Sequence, residues 1–128
     1  MPTTEARIGV VGATGVVGTV ALALLAERGF SDVRAYASSR SAGSEVQYGG
    51  RSLRVEEATP ERLAGDELDL CFFSVGTGPS SELVPPTAEA GTTCIDKSDA
   101  FRLAEGIPLV VAGVNDDAID GGTIVANP

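Results

Sequence analysis

The sequence contains no histidine and no tryptophan, and it has one lysine, one methionine and two cysteines. Without histidine, the usual zinc ligand sets and the histidine-activated thiol lack their parts, so no metal centre is expected. Cys71 and Cys94 each stand inside an apolar run and read as small buried core residues. Positive charge is also scarce: eight arginines and Lys97 face eighteen acidic residues, for a formal net charge of -9. Scattered bases in an acidic chain argue against nucleic acid or an anionic membrane surface as partner. No apolar run reaches the length of a membrane span, and the opening MPTTEARIGVVG has no basic segment ahead of its short apolar stretch. A signal peptide is therefore not expected, and the cytoplasm is the default location.

What is present fits one globular domain. Apolar residues make up 43% of the 128 and charged residues 21%, while sixteen glycines and seven prolines supply turns without reaching the level of a disordered chain. ARIGVV (6–11) is short, apolar and rich in β-branched residues. It breaks at Gly12, and helix formers then run from 16 to 28 and stop at Gly29. DVRAYAS (32–38) reads as a second strand, so the first forty residues spell a βαβ unit with a right-handed crossover. SEVQYGGRSLRV (44–55) reads as a peripheral hairpin hinged on Gly49-Gly50. DLCFFSV (69–75) is almost continuously apolar, as a central parallel strand covered on both faces should be. GTGPSSELVPPTAEAG then offers a loop and a helix interrupted, or started late, at Pro85-Pro86. TTCIDK (92–97), PLVVAGV (108–114) and TIVANP (123–128) read as further strands. The alternation predicts an α/β, Rossmann-type open and mostly parallel sheet with helices on both faces.

The turn after the first strand, Gly12-Ala13-Thr14-Gly15-Val16-Val17-Gly18, has the spacing G-x-x-G-x-x-G. Glycines allow a tight turn and close approach of backbone to a phosphate, and the helix beginning near Gly15 aims its unpaired N–H groups and positive dipole end at the anion. Gly18 would let that helix lie close on the sheet. Thr14 has two readings, a phosphate ligand or the helix cap. The end of the second strand bears on the choice of nucleotide. A carboxylate there would hold the ribose hydroxyls of NAD and repel a 2′-phosphate; Ser38-Ser39-Arg40-Ser41 instead offers hydroxyls and a guanidinium, which favours NADP. Ser74-Val75-Gly76-Thr77-Gly78 is a second glycine-bearing loop at a strand's carboxyl end, either lining the cofactor or starting the next helix.

Taken in order, VVGATGVVG, YASSRSAG, FFSVGTG, IDKSDAFR, PLVVAGVN and the closing VANP resemble the nucleotide-binding domain of the aspartate-semialdehyde dehydrogenase family, across nearly the whole chain. The resemblance implies an amino-acid-biosynthetic oxidoreductase that interconverts aspartyl phosphate and aspartate semialdehyde with NADPH and a thioester on a cysteine. It implies that Gly12, Thr14, Gly15, Val16 and Val17 form the cofactor turn and that Ser38, Arg40 and Ser41 hold the 2′-phosphate; Ser74 and Gly76, in the second glycine loop, are expected from their place at a strand's carboxyl end to line the same site. Arg102 would bind the acyl phosphate or inorganic phosphate. The chain departs from the family's usual D-N-S-S-A-F-R by Lys97 and Asp99, and has Ala112-Gly113 where the family has Pro-Glu.

In the family the nucleophilic cysteine immediately follows the Asn-Pro that here is Asn127-Pro128, and a catalytic and dimerisation domain comes after it. Residues 1–128 are thus expected to be the NADP-binding domain alone, inactive by itself, with a homodimer expected only of a longer chain. Two alternatives accompany this reading: a free-standing NADP-binding or redox-sensing module without catalysis, and a related acyl-phosphate reductase. A short-chain dehydrogenase would need Tyr-x-x-x-Lys, but Tyr36 is followed at that spacing by Arg40 and Tyr48 by Ser52.

Overall fold

The computed structural model describes residues 5–98, 100 and 124–126. Among them, seven strands form one sheet: β1 (Arg7–Val11), β2 (Asp32–Ala37), β3 (Glu45–Tyr48), β4 (Arg51–Glu57), β5 (Leu70–Phe73), β6 (Thr93–Asp96) and β7 (Ile124–Ala126), in the order β3-β4-β2-β1-β5-β6-β7. Every pairing is parallel except that of β3 with β4, which form a hairpin at the sheet's edge. With β3 set aside, the six parallel strands follow the doubly wound order 3-2-1-4-5-6. The strand expected at 108–114 lies outside the described residues.

Alternation along the strands assigns two cores. Ile8 and Val10 of β1, with Val33 and Ala35 of β2, face α1 (Val16–Glu27) and its buried Leu22. Val11, Tyr36, Cys71, Phe73 and Cys94 point to the opposite face. There they meet Leu63 of α2 (Pro60–Gly65) and Leu83, Val84 and Ala88 of α3 (Thr77–Glu89). A sheet buried on both faces must read as continuous apolar runs, which is why DLCFFSV shows no polar alternation. Both cysteines are free and buried, as their settings suggested. No helix among the described residues is long and apolar enough to cross a membrane.

Two helices differ from the sequence reading. α2 was not anticipated, although Thr59-Pro60-Glu61 carries a helix-start signal: the Thr59 hydroxyl accepts from the Arg62 amide at 3.1 Å, and Pro60 occupies the first turn. α3 is neither interrupted nor delayed at Pro85-Pro86, but runs through both. Two prolines remove the amides that would bond the carbonyls of Ser81 and Glu82, and both those residues are exposed, where water can serve. The buried Leu83, Val84, Thr87 and Ala88 hold the helix on the core and outweigh the lost bonds.

α1 carries apolar side chains around its whole circumference. Leu22 is buried, while Val16, Val17, Val20 and Leu24 are all exposed. Amphipathicity therefore does not set the helix's rotation; close packing at Gly18 does, as shown below.

Candidate nucleotide-binding site

Strand order reverses at β1: the chain steps from it to β2 on one side, and β5 lies on the other. Ligands of open α/β sheets bind outside the carboxyl ends of the strands at such a point. Here those ends are Gly12 and Ser74, and they are in contact. Gly12 has φ 88°, a left-handed conformation, and a Cβ on it would stand 2.2 Å from the Ser74 carbonyl oxygen. The Ser74 amide in turn donates to the Val11 carbonyl at 2.9 Å, so the two loops share one backbone seam. Glycine at 12 is a steric requirement of that seam as well as of the turn.

The turn is pinned on its other side by β2. The Gly12 and Ala13 amides both donate to the Tyr36 carbonyl, at 2.9 and 3.1 Å, and the Gly15 amide closes the turn on the Gly12 carbonyl at 3.0 Å. Gly18 then packs on this turn: a Cβ there would lie 2.0 Å from the Gly12 carbonyl oxygen and 3.0 Å from the Ala13 Cα. The close approach expected of Gly18 is thus made to the backbone of the turn after β1 rather than to the sheet generally.

Gly15 is the N-cap of α1, with no side-chain hydrogen bond and no acidic residue in the first turn. Thr14 therefore does not cap the helix; it is exposed at the tip of the turn, beside the exposed Val16 and Val17. α3 starts the same way, with Gly76 as N-cap, no side-chain cap and no acid in its first turn. Two helices thus begin at the switch point on glycine N-caps that supply no side-chain cap hydrogen bond, an arrangement suited to a diphosphate. The second glycine loop starts α3, and its Val75 and Gly78 line the cavity described below.

At the end of β2, Ser38, Ser39 and Arg40 are exposed in a turn whose Ser41 and Ala42 amides both donate to the Ser38 carbonyl at 3.0 Å. The Ser44 hydroxyl donates to the Ser41 carbonyl at 2.6 Å, which fixes the far side of the loop. Several of the other arginines are engaged. Arg7 and Arg34 pair with Asp32 at 3.3 and 3.4 Å, at the opposite end of the sheet, and Arg54 and Arg62 pair with Glu56. Among the described residues Arg40 has no such partner. It is an exposed cation in the turn that follows β2, in a protein with few cations.

Between these loops lies a cavity of about 480 Å³, lined by Val11, Ala37, Ser38, Ala58, Val75, Gly78, Pro79, Glu82 and Leu83. An apolar cleft with few polar groups is the usual form of a small-molecule site. Ser38 and Val75 were reachable from sequence, because they flank the strand ends. Ala58, Pro79 and Glu82 were not, since they arrive from the β4–α2 connection and from α3.

The buried carboxylate of Asp96 was also missed. It is fully buried at the end of β6, accepting from the Ser80 hydroxyl at 2.8 Å, the Ser98 amide at 3.1 Å and the Ser98 hydroxyl at 2.7 Å. The Ser98 hydroxyl also accepts from the Ala100 amide at 3.1 Å. This network ties the first turn of α3 to the start of the loop after β6. Arg102, expected further along that loop, lies outside the described residues, as do Asn127 and Pro128.

Neither tyrosine nor either thiol is poised for proton or nucleophilic chemistry. Burial pushes the Tyr36 phenol up, and its hydrogen bond to Asp66 at 2.7 Å pushes it further the same way. Tyr48 donates to the Phe30 carbonyl and is likewise raised by burial. Burial and the neighbouring Asp96 charge push the Cys94 thiol up to about 12, and burial raises Cys71 well above its usual value. Among the described residues no cluster of His, Cys, Asp and Glu could hold a metal.

Comparison with known proteins places this geometry. The family described as "Semialdehyde dehydrogenase, NAD binding domain" matches residues 7–122. The aspartate-semialdehyde dehydrogenase of Bacillus subtilis strain 168 is 40% identical over 125 residues, which cover 95% of this chain and 36% of that protein. Aspartate semialdehyde dehydrogenase II of Vibrio cholerae, solved in complex with ASA, superposes with a TM-score of 0.86 at 34% identity, over 97% of this chain and 42% of that one. The Candida albicans enzyme, solved with NADP, superposes with a TM-score of 0.79 at 27% identity, covering 95% of this chain and 42% of that one. The chain thus spans somewhat over a third of the curated relative's length.

Proposed function

The chain belongs to the semialdehyde dehydrogenase family, whose NAD(P)-binding domain it carries, and on that premise we propose that it binds NADP as the cofactor-holding part of an aspartate-semialdehyde dehydrogenase. The observation that carries the reading is the seam at Gly12 and Ser74, which brings two glycine-capped helix starts together at the switch point. Gly12, Thr14, Gly15, Val16 and Val17 would cradle the diphosphate on one side, and Ser74 and Gly76 would face it from the other. Ser38, Arg40 and Ser41 would take the 2′-phosphate, with a guanidinium supplying charge-assisted hydrogen bonds that NAD cannot use. The cavity beside Ser38 is the place for the adenine ring, since the base and the 2′-phosphate sit on neighbouring carbons of one ribose. When bound, NADP supplies a hydride acceptor, and the protein supplies binding and orientation.

The rest of the reaction belongs to a longer chain. Residues 1–128 form the NADP-binding domain. In the longer chain a cysteine just after Pro128 would attack the aldehyde carbon to give a thiohemiacetal, whose C–H hydride would pass to the bound NADP as the thioester forms, and phosphate would then displace the thiolate to give the acyl phosphate, with Arg102 binding that phosphate. Substrate aldehyde, acyl phosphate and inorganic phosphate are the small-molecule partners, a homodimer is the assembly of the longer chain, and the cytoplasm is the setting of this amino-acid-biosynthetic step. Cys71 and Cys94 do not stand in for the nucleophile, because both are buried and held as neutral thiols.

Calorimetric titration with NADP and NAD, paired with an assay of phosphate-dependent aldehyde oxidation, tests this reading. Tighter binding of NADP without turnover by the 128 residues is expected. Equal affinity for the two dinucleotides would remove the 2′-phosphate assignment, and turnover by this chain alone would overturn the location of the nucleophile.

A further inference from the structure

The cavity beside Ser38 is apolar over most of its wall, and among its lining residues Glu82 has the only charged side chain. Glu82 is exposed on α3, and it has no hydrogen-bond or ion-pair partner among the described residues. It therefore presents an unpaired carboxylate, an acceptor-only group, at the rim of a cleft walled by Val11, Val75, Pro79 and Leu83.

A flat aromatic base held against those apolar walls must direct its polar edge to the rim. Adenine carries one strong donor there, the exocyclic 6-amino group, beside ring nitrogens that are acceptors. A carboxylate complements the amine and repels the acceptors, so it favours the one orientation in which amine and carboxylate meet. We propose that Glu82 is a specificity-determining residue that reads the adenine amino group of the dinucleotide. The proposal rests on the cofactor reading above and goes beyond it, because neither the glycine turn nor the 2′-phosphate loop discriminates one base from another.

The test is calorimetric titration of the 128-residue chain with NADP and with its counterpart in which purine replaces adenine, so that hydrogen stands where the amine was. The native protein is expected to bind the purine dinucleotide about tenfold more weakly, the size of effect that follows from removing a hydrogen bond to a charged group. Glu82→Ala is expected to bind NADP about tenfold more weakly than the native protein, and to bind the two dinucleotides equally, closing the cycle. Alanine at an exposed helix position favours the helix, so the variant should fold. Equal binding of the two dinucleotides by the native protein would overturn the role of Glu82, as would discrimination that survives in Glu82→Ala. Either result would leave the cofactor reading standing. Failure of the native protein to bind NADP at all would overturn the cofactor reading, and this inference with it.

Discussion

A side chain at Gly18 and the carbonyl of Gly12 cannot coexist as the backbone stands: a Cβ on Gly18 would lie 2.0 Å from that oxygen. Gly12 itself has no room for a Cβ beside Ser74, at 2.2 Å. Helix α1, the turn and the loop after β5 are therefore stacked through two glycines, and the turn after β1 has its shape because these backbones touch. Gly18→Ala is expected to destabilise the fold by about 1–3 kcal/mol, as overpacking against backbone does, and to abolish detectable dinucleotide binding. Urea denaturation and calorimetry check both effects. Unchanged stability would mean that the turn yields more readily than the contact implies.

The affinity difference between NADP and NAD should reside largely in Arg40. Arg40→Ala is expected to weaken NADP binding by about 10- to 100-fold, from the loss of a charged hydrogen bond, and to leave NAD affinity unchanged. Native NADP affinity in the variant would show that the serines alone hold the 2′-phosphate.

Ser80 and Asp96 offer a stability test at the edge of the site. Removing the Ser80 hydroxyl takes one of three donors from a fully buried carboxylate. Ser80→Ala is expected to cost about 1–3 kcal/mol in urea denaturation. It should also speed hydrogen exchange at the Ser98 and Ala100 amides, which belong to the same network.

The buried thiols predict how stability changes in alkali. Burial in the fold pushes the Cys94 thiol from its ordinary value of 9.0 up to about 12, and raises Cys71 in the same direction. Between those values the unfolded chain binds fewer protons than the folded one, so stability falls as pH rises and is fully present only below about 9. Cys94 contributes a slope of up to about 1.4 kcal/mol per pH unit in that window, and Cys71 acts in the same direction. Unfolding free energies at pH 8 and pH 10, compared between the native protein and Cys94→Ala, check the sign. A thiol reagent at pH 8 should leave both cysteines unmodified until the protein is unfolded.

Much of the architecture was legible in the sequence because parallel strands buried on both faces must be apolar and short. ARIGVV, DVRAYAS and DLCFFSV announce β1, β2 and β5 in this way, and Gly49-Gly50 announces the hairpin. The helix through Pro85-Pro86 was misread because local rules weigh the lost amides but not the four buried residues that hold α3 on the core. α2 was passed over although Thr59 and Pro60 carry its start signal, because six residues are too few to show a helical period.

The sequence by itself determined the order of strands β1 to β6, the glycine turn after β1, the absence of a carboxylate at the end of β2 and the lack of histidine. It did so because these are properties of adjacent residues. Only the tertiary structure decided that Gly12 presses on Ser74, that Ser80 serves Asp96 and that Glu82 stands at the rim of the cleft beside Ser38. Each of these joins residues at least 16 positions apart, and the parallel crossovers alone bring them to the same edge of the sheet. The short β7 arrives there too, with Ala126 in register beside Asp96, and what a local reading of TIVANP could not say is which strand it would join.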